Sequence, residues 1–368
     1  MSTALVHEHL AQDGGAEKVL LAFQELFPDA PTYTLVYNSA RAHPAFLRKD
    51  IRTSFLQRMP FGPQKYQWYL PLMPLAVERY DLMQYDVVLS SVSGFAKGII
   101  TRPDAVHICY CHSPTRYLWT DTHEYINALP YNRLIKRLIL LLLPSLRQWD
   151  RIAADRVDHF IANSKTVQDR IKKYYRRDST IIHPPVEVER FTVSDVVDKY
   201  FLIGGRLVGY KRYDLAIHAF NRLGLPLKIF GSGPEEKRLR AMAKGTIEFL
   251  GKVSDTDRGR LMSRAIAFIH PQEEDFGITA VESMAAGRPV IAYAKGGALE
   301  TVIAGKTGVF FDEQSWEALA DAVLRFKPDE YRPAEIRAWA EEFRKERFVE
   351  RIRTFIAEHS TRADSRVS

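Results

Sequence analysis

Along the chain, short runs of Val, Ile and aromatic residues alternate with longer segments in which apolar positions recur every three or four residues. The first pattern predicts buried strands and the second amphipathic helices. In the first half, strands are expected at TALVHEH, PTYTLVY, YDVVLSS, VHICYCH and DHFIANS, with helical segments such as AEKVLLAFQELF between them. In the second half the strands are YFLIGGR, PLKIFGS, IEFLGKV, AIAFIHP, RPVIAYA and GVFFD, and their partners are helices such as RYDLAIHAFNRL, PEEKRLRAMAK and TAVESMAAG. Strand and helix in alternation specify α/β domains with parallel sheets and right-handed crossovers. The halves meet at IIHPPVEVERFTVSDV, where Pro184 and Pro185 stand beside a charged, weakly periodic stretch that reads as a linker. The expected organisation is one doubly wound, Rossmann-like domain over 1–186 and another over 187–345, with the cleft between them as the default ligand site. Residues 346–368 complete a long charged helix, RPAEIRAWAEEFRKERFVERIRTFIAEH, able to pack back on the first domain, and end in a frayed tail, STRADSRVS.

The 368 residues exceed what one core usually serves, which agrees with two domains. A net charge of +7 favours an anionic partner. The basic-aromatic KKYYRR, Lys172 to Arg177, reads as a solvated helix end, so nucleic acid is not expected as a partner. Cys109 and Cys111 share one face of a strand and are badly placed for a disulfide. With only His112 beside them they cannot wrap a tetrahedral metal ion, so they are read as buried thiols suited to the cytoplasm. MSTALVHEHL lacks the basic start and long apolar segment of a secretory signal. The longest apolar run, Leu138 to Pro144, falls far short of the roughly 20 residues that span a bilayer. The expectation is a cytoplasmic protein, soluble or peripheral on the inner face of the membrane.

The densest chemistry lies in HPQEEDFGITAVESMAAG, where Glu274 and Glu282 flank Phe276 and Gly277. Placed on the pattern, Glu274 falls on a loop at a strand's C-terminal end, where open α/β sheets bind ligands. Gly277 would bring the bare N–H groups of a helix start against an anion. Carboxylates accept the paired hydrogen bonds of a vicinal diol. A phosphate flanked by two such carboxylates describes a nucleotide sugar. For the glutamates alone, solvated surface charge is the stronger reading, because Glu is mostly exposed. GGRLVGYKRYD adds Arg206 and Lys211 after another strand, two cations able to neutralise a diphosphate and its developing charge. Gly14 and Gly15 stand between the first strand and its helix, where backbone N–H groups can face phosphate; the pattern is not G-x-G-x-x-G, which lowers a dehydrogenase reading.

These motifs together resemble the donor half of the retaining family 4 glycosyltransferases of GT-B fold: Glu274 and Glu282 around Phe276-Gly277, GRL with a following Lys, and AAGRPVIAY with its later Gly-Gly and Glu. The early GGAE and the NSK of Asn163 to Lys165 are similar too, so the resemblance covers nearly the whole chain. CYCHSPTRYLW and IIHPPVEVERF look most like the bacterial mannosyltransferases that build O-antigen and related polysaccharides. The resemblance implies that Arg206 and Lys211 grip the donor's diphosphate, Glu282 the ribose and Glu274 the sugar hydroxyls. Phe276, Gly277 and Ile278 would supply backbone contacts, Gly251, Lys252 and Val253 would meet the base, Gly15 would approach the diphosphate, and His112 would lie near the transferred sugar. One departure is Asp275, where many members have Gly.

The activity so implied is transfer of a hexose, mannose from GDP-mannose, to a hydroxyl of a glycan or lipid-diphosphate-linked saccharide with configuration kept. The catalytic set would be His112, Glu274, Arg206 and Lys211. No D-x-D-like motif stands where a metal would be needed, so no metal or other cofactor is expected. The competing readings are a UDP-sugar donor, a sugar-nucleotide epimerase of the same fold, and a glycoside hydrolase using the two glutamates, which leaves the cations unexplained. YNRLIKRLILLLLPSLRQWDR joins Arg133, Lys136, Arg137, Arg147 and Arg151 to Leu, Ile and Trp149, and with Trp68 and Tyr69 it suits either an anionic membrane surface or a packed core helix. His183, before two prolines, is read as structural.

Overall fold

A computed structural model describes residues 1–129 and 131–360. The chain divides into two compact units: Met1–His183 with the segment from Phe348 onward, and Pro184–Arg347. The first carries seven strands: β1 (Thr3–His7), β2 (Thr32–Thr34), β3 (Ile51–Thr53), β4 (Val87–Val92), β5 (Val106–Cys111), β6 (His159–Ala162) and β7 (Ser179–Ile181). They pair in parallel in the order β3-β2-β1-β4-β5-β6-β7. The second carries β8 (Phe201–Gly204), β9 (Leu227–Phe230), β10 (Ile247–Gly251), β11 (Phe268–His270), β12 (Val290–Tyr293) and β13 (Gly308–Phe311), parallel in the order β10-β9-β8-β11-β12-β13.

The central strands are buried along their length, as parallel strands covered on both faces must be. That is why they read as unbroken apolar runs. Strands β3 and β7 lie at the sheet edges, hold three residues each and keep polar, partly exposed positions. Their pattern is too short to be read from sequence. The run PTYTLVY leaves the sheet after Thr34, yet Leu35 and Val36 stay buried, so an apolar loop extended the apparent strand.

In each sheet the strand order reverses beside the earliest strand, between β1 and β4 and between β8 and β11. Crevices at such points receive ligands at the strands' carboxyl ends. Glycine permits the close packing there. A Cβ on Gly204 would meet the Phe230 ring at 2.1 Å, and one on Gly231, at φ +112°, would meet the Gly205 carbonyl oxygen at 1.8 Å.

Three expectations change. The long terminal helix is two, Pro333–Ala340 and Lys345–Ser360, broken where Arg344 turns extended. Ile336, Ala340 and Phe343 are buried in the second unit's core, whereas Phe348, Ile352, Phe355 and Ile356 are buried in the first unit's. The proposed frayed tail, beyond Ser360, lies outside the described residues. KKYYRR is not simply a solvated helix end: Tyr175 is buried and donates its hydroxyl to Asp150, and Arg177 donates to the carbonyls of Ala154, Val157 and Asp158. In the helix Arg133–Asp155, Trp149 and Arg147 turn inward rather than outward. The Trp149 indole N–H donates to Glu78 at 2.9 Å, and the Arg147 guanidinium donates to the Leu118 carbonyl and the Thr122 hydroxyl. Cys109 and Cys111 are buried thiols.

Candidate functional site

In the second unit, Arg206 and Lys211 follow β8, and Glu274 follows β11, so both loops leave the point of reversal. Lys211 Nζ lies 2.9 Å from Glu274 Oε1, with both side chains largely buried. Burial would lower the ammonium, yet Glu274 keeps Lys211 above its ordinary value. Burial pushes the Glu274 carboxyl up, but Lys211 and His270 outweigh it and hold the group at about 2. Arg206 is exposed in the loop after β8 and near enough for its charge to oppose that of Lys211. The turn depends on Gly205 at φ +126°, where a Cβ would meet Lys211 Nζ at 3.2 Å.

Gly277, at φ +88°, opens the helix Ile278–Ala285. A side chain here would be strained by the backbone and would press on the His270 ring at 3.2 Å. The loop between Glu274 and Gly277 is braced from behind by Gly296 and Gly297. The Gly297 N–H donates to the Glu274 carbonyl at 2.8 Å, and a Cβ at Gly296 would meet that oxygen at 2.3 Å. Phe276 has its ring in the core against Phe343, leaving only its backbone for a ligand role. Gly251, at φ +67°, ends β10, and Lys252 and Val253 lead into the helix Asp255–Arg264.

Glu282 is buried and faces Arg258, with Oε1 3.7 Å from Nη2. Two residues here escaped the sequence reading. Arg258 sits in a helix with no local signal. His270 closes β11 with Nε2 buried and without a hydrogen-bond partner, and burial lowers it to about 4.

The first unit gathers its polar side chains at its own point of reversal. His7 ends β1, and the register sets it opposite Ser91 on β4. His7 Nδ1 and Ser91 Oγ are 3.1 Å apart, and Ser91 Oγ is 2.8 Å from Nε2 of His112, the residue after β5. The Asn163 amide donates to the His112 carbonyl at 3.0 Å, and Asn163's backbone carbonyl lies 3.1 Å from His183 Nδ1. Gly14 precedes and Gly15 begins the helix Gly15–Leu26. A Cβ on Gly14 would meet Glu17 Oε2 at 3.1 Å, and Glu17 Oε1 is 3.8 Å from His7 Nε2. Glu17, His7 and Ser91 also escaped the sequence reading. Among the described residues, no group of three or more His, Cys, Asp or Glu is placed to hold a metal ion.

Two family descriptions match consecutive parts of the chain: "Glycosyltransferase Family 4" over residues 13–190 and "Glycosyl transferases group 1" over 187–347. The alpha-1,3/1,6-mannosyltransferase ALG2 of Dictyostelium discoideum is 25% identical over 282 residues, 63% of this chain and 63% of that protein. The GDP-mannose-dependent monoacylated alpha-(1-6)-phosphatidylinositol monomannoside mannosyltransferase of Corynebacterium glutamicum is 29% identical over 225 residues, 52% of this chain and 59% of that protein. The match therefore spans less than two thirds of these curated relatives' own length. Among solved structures, Anabaena Alr3699/HepE in complex with UDP shares the fold at a TM-score of 0.73 and 16% identity, over 97% of this chain and 100% of that one. With both sheets parallel and the two descriptions running without a gap from residue 13 to 347, the chain belongs to the family 4 glycosyltransferases of GT-B fold.

Proposed function

We propose that the chain transfers a hexosyl group, mannose from GDP-mannose, to a hydroxyl of a glycan or lipid-linked saccharide with the anomeric configuration retained and without a metal ion. The observation that carries the reading is the buried Lys211–Glu274 pair beside the glycine that opens the helix Ile278–Ala285. A buried ammonium already held in place can meet a diphosphate without reorganising, and the helix start offers N–H groups to the same anion. Lys211 and Arg206 would stabilise the charge on the departing diphosphate, Glu274 would orient the sugar through its hydroxyls, and Glu282 would take the ribose. Backbone from Phe276 to Ile278 and from Gly251 to Val253 is assigned to sugar, phosphate and base. In the first unit Gly14 and Gly15 are assigned to phosphate and His112 to the transferred sugar. These first-unit assignments rest on the motifs.

The mannose assignment draws support from the two relatives that are named mannosyltransferases, one of them GDP-mannose-dependent. A UDP-sugar is the second reading, favoured by the UDP in the HepE structure. A panel of GDP-, UDP- and ADP-sugars, scored for slow hydrolysis and thermal stabilisation, separates them: GDP-mannose alone should score, and a response only to UDP-sugars rejects the donor. Lys211→Ala should lower kcat about a hundredfold, the usual cost of losing a charge-stabilising donor. Undiminished turnover in that variant rejects the role. Chelator should leave activity unchanged.

An anionic membrane surface on the cytoplasmic side is proposed as the place where a lipid-linked acceptor is met. What supports it is the outward face of the helix Arg133–Asp155, where Leu134, Leu138 and Leu141 are exposed beside Arg133 and Arg137. Among the described residues no helix is long and apolar enough to cross a membrane.

A further inference from the structure

We infer that Glu17, acting through charge on His7, and the hydrogen bonds between His7 and Ser91 and between Ser91 and His112 form a directional relay that fixes His112 as the tautomer protonated on Nε2, so that its Nδ1 meets the sugar as an acceptor. Glu17, His7 and Ser91 are positioning residues. This rests on the reading above that His112 faces the transferred sugar.

The direction follows from one charge and three contacts. Glu17 is 1% exposed and His7 is 2% exposed, so neither relies on water for its orientation. Burial pushes the Glu17 carboxyl up, yet the neighbouring His7 and His9 hold it below its ordinary value, so it is a carboxylate at neutral pH and can only accept. At 3.8 Å the contact with His7 Nε2 is longer than a closed hydrogen bond, and it acts through charge. Where the His7 ring carries a single proton, a carboxylate at that distance draws it to Nε2 and leaves a lone pair on Nδ1. Ser91 Oγ, 3.1 Å away, must then donate its only proton to His7. Having donated, the hydroxyl can only accept from His112 Nε2 at 2.8 Å. His112 itself is neutral, because burial lowers it to about 3. With its one proton committed to Ser91, its Nδ1 keeps a lone pair that can accept from a sugar hydroxyl.

The same relay gives the glycine of the early GGAE motif a second use. Gly14 has extended backbone, so it is not needed for conformation. It leaves room for Glu17 Oε2, which a Cβ would approach to 3.1 Å. On the far side, the Asn163 amide anchors the His112 carbonyl, so ring and backbone are both held.

The test is long-range 1H–15N correlation on the full chain labelled at histidine, with His112 signals assigned by loss in His112→Gln, alongside steady-state kinetics. The wild type should show His112 protonated on Nε2 alone. Ser91→Ala should give a mixture of tautomers and a kcat lower by about tenfold, with KM for the donor within about twofold, as for one hydrogen bond lost late in the reaction. Ser91→Thr, which restores the hydroxyl, should return both readouts. Glu17→Gln should act like Ser91→Ala and serves in its place if Ser91→Ala melts before assay temperature. A wild-type His112 protonated on Nδ1 overturns the relay, and so does a Ser91→Ala enzyme with unchanged tautomer and kcat. A wild type without transferase activity would instead defeat the functional reading, and the tautomer would still be decided by the spectrum.

Discussion

At the scale of single residues, one buried carboxylate of the first unit is surrounded by donors. Asp150, 0% exposed, accepts from Lys97, Thr115, Trp119 and Tyr175, while Lys97 also donates to the Gly94 carbonyl. Removing the carboxylate leaves a buried ammonium and three donors without an acceptor. Asp150→Ala should therefore cost about 3–5 kcal/mol, read as a fall in the urea unfolding midpoint at constant m-value. Nothing in RQWDR marked Asp150 as interior, because its donors come from positions as far away as 97 and 175. Lys211, Glu274 and Gly277 were singled out by motifs, in the stretches that follow β8 and β11. Those that were not, His7, Ser91, Arg258 and His270, acquire their meaning from neighbours across a sheet or on another helix.

At the scale of elements, the helix Arg133–Asp155 has two apolar faces. At 100° per residue, Leu143, Leu146, Asp150 and Ala153 form the buried stripe. Leu134, Leu138, Leu141 and Ile152 form another on the opposite side, with Leu141 75% exposed. Sequence alone could not choose between surface and core because the helix is both. Leu138→Ser with Leu141→Ser should lose most co-sedimentation with anionic vesicles at low salt while shifting stability by under about 0.5 kcal/mol, since exposed side chains pack against little. Wild-type binding should also weaken as salt rises. Equal sedimentation of variant and wild type would remove this face from the membrane reading.

For the molecule as a whole, both units bury groups whose ionisation opposes acid. Burial lowers His107 and His112 to about 3 in the first unit and His270 to about 4 in the second. Each of these is depressed from 6.5, so below that pH the unfolded chain binds more protons and stability falls as pH drops toward the folded values. Glu274, held at about 2 against 4.5, adds a contribution that is complete above pH 4.5 and lost as pH falls toward 2. Urea midpoints measured between pH 7 and 4 should decline steadily, starting near 6.5. A flat profile down to pH 5 would show that these histidines are protonated in the folded state.

The order of strands and helices, the parallel sheets and the motif residues around Glu274 were determined by the sequence, because burial on both faces of a sheet and a glycine-led helix start are local demands. The two edge strands lay beneath that resolution, since three half-exposed residues carry no period. Only the tertiary structure decided that Lys211 meets Glu274, that Glu282 meets Arg258, and that Glu17, His7, Ser91 and His112 are joined by successive side-chain contacts. The physical reason is register: parallel pairing sets residues 84 positions apart side by side, and no local pattern records which ones.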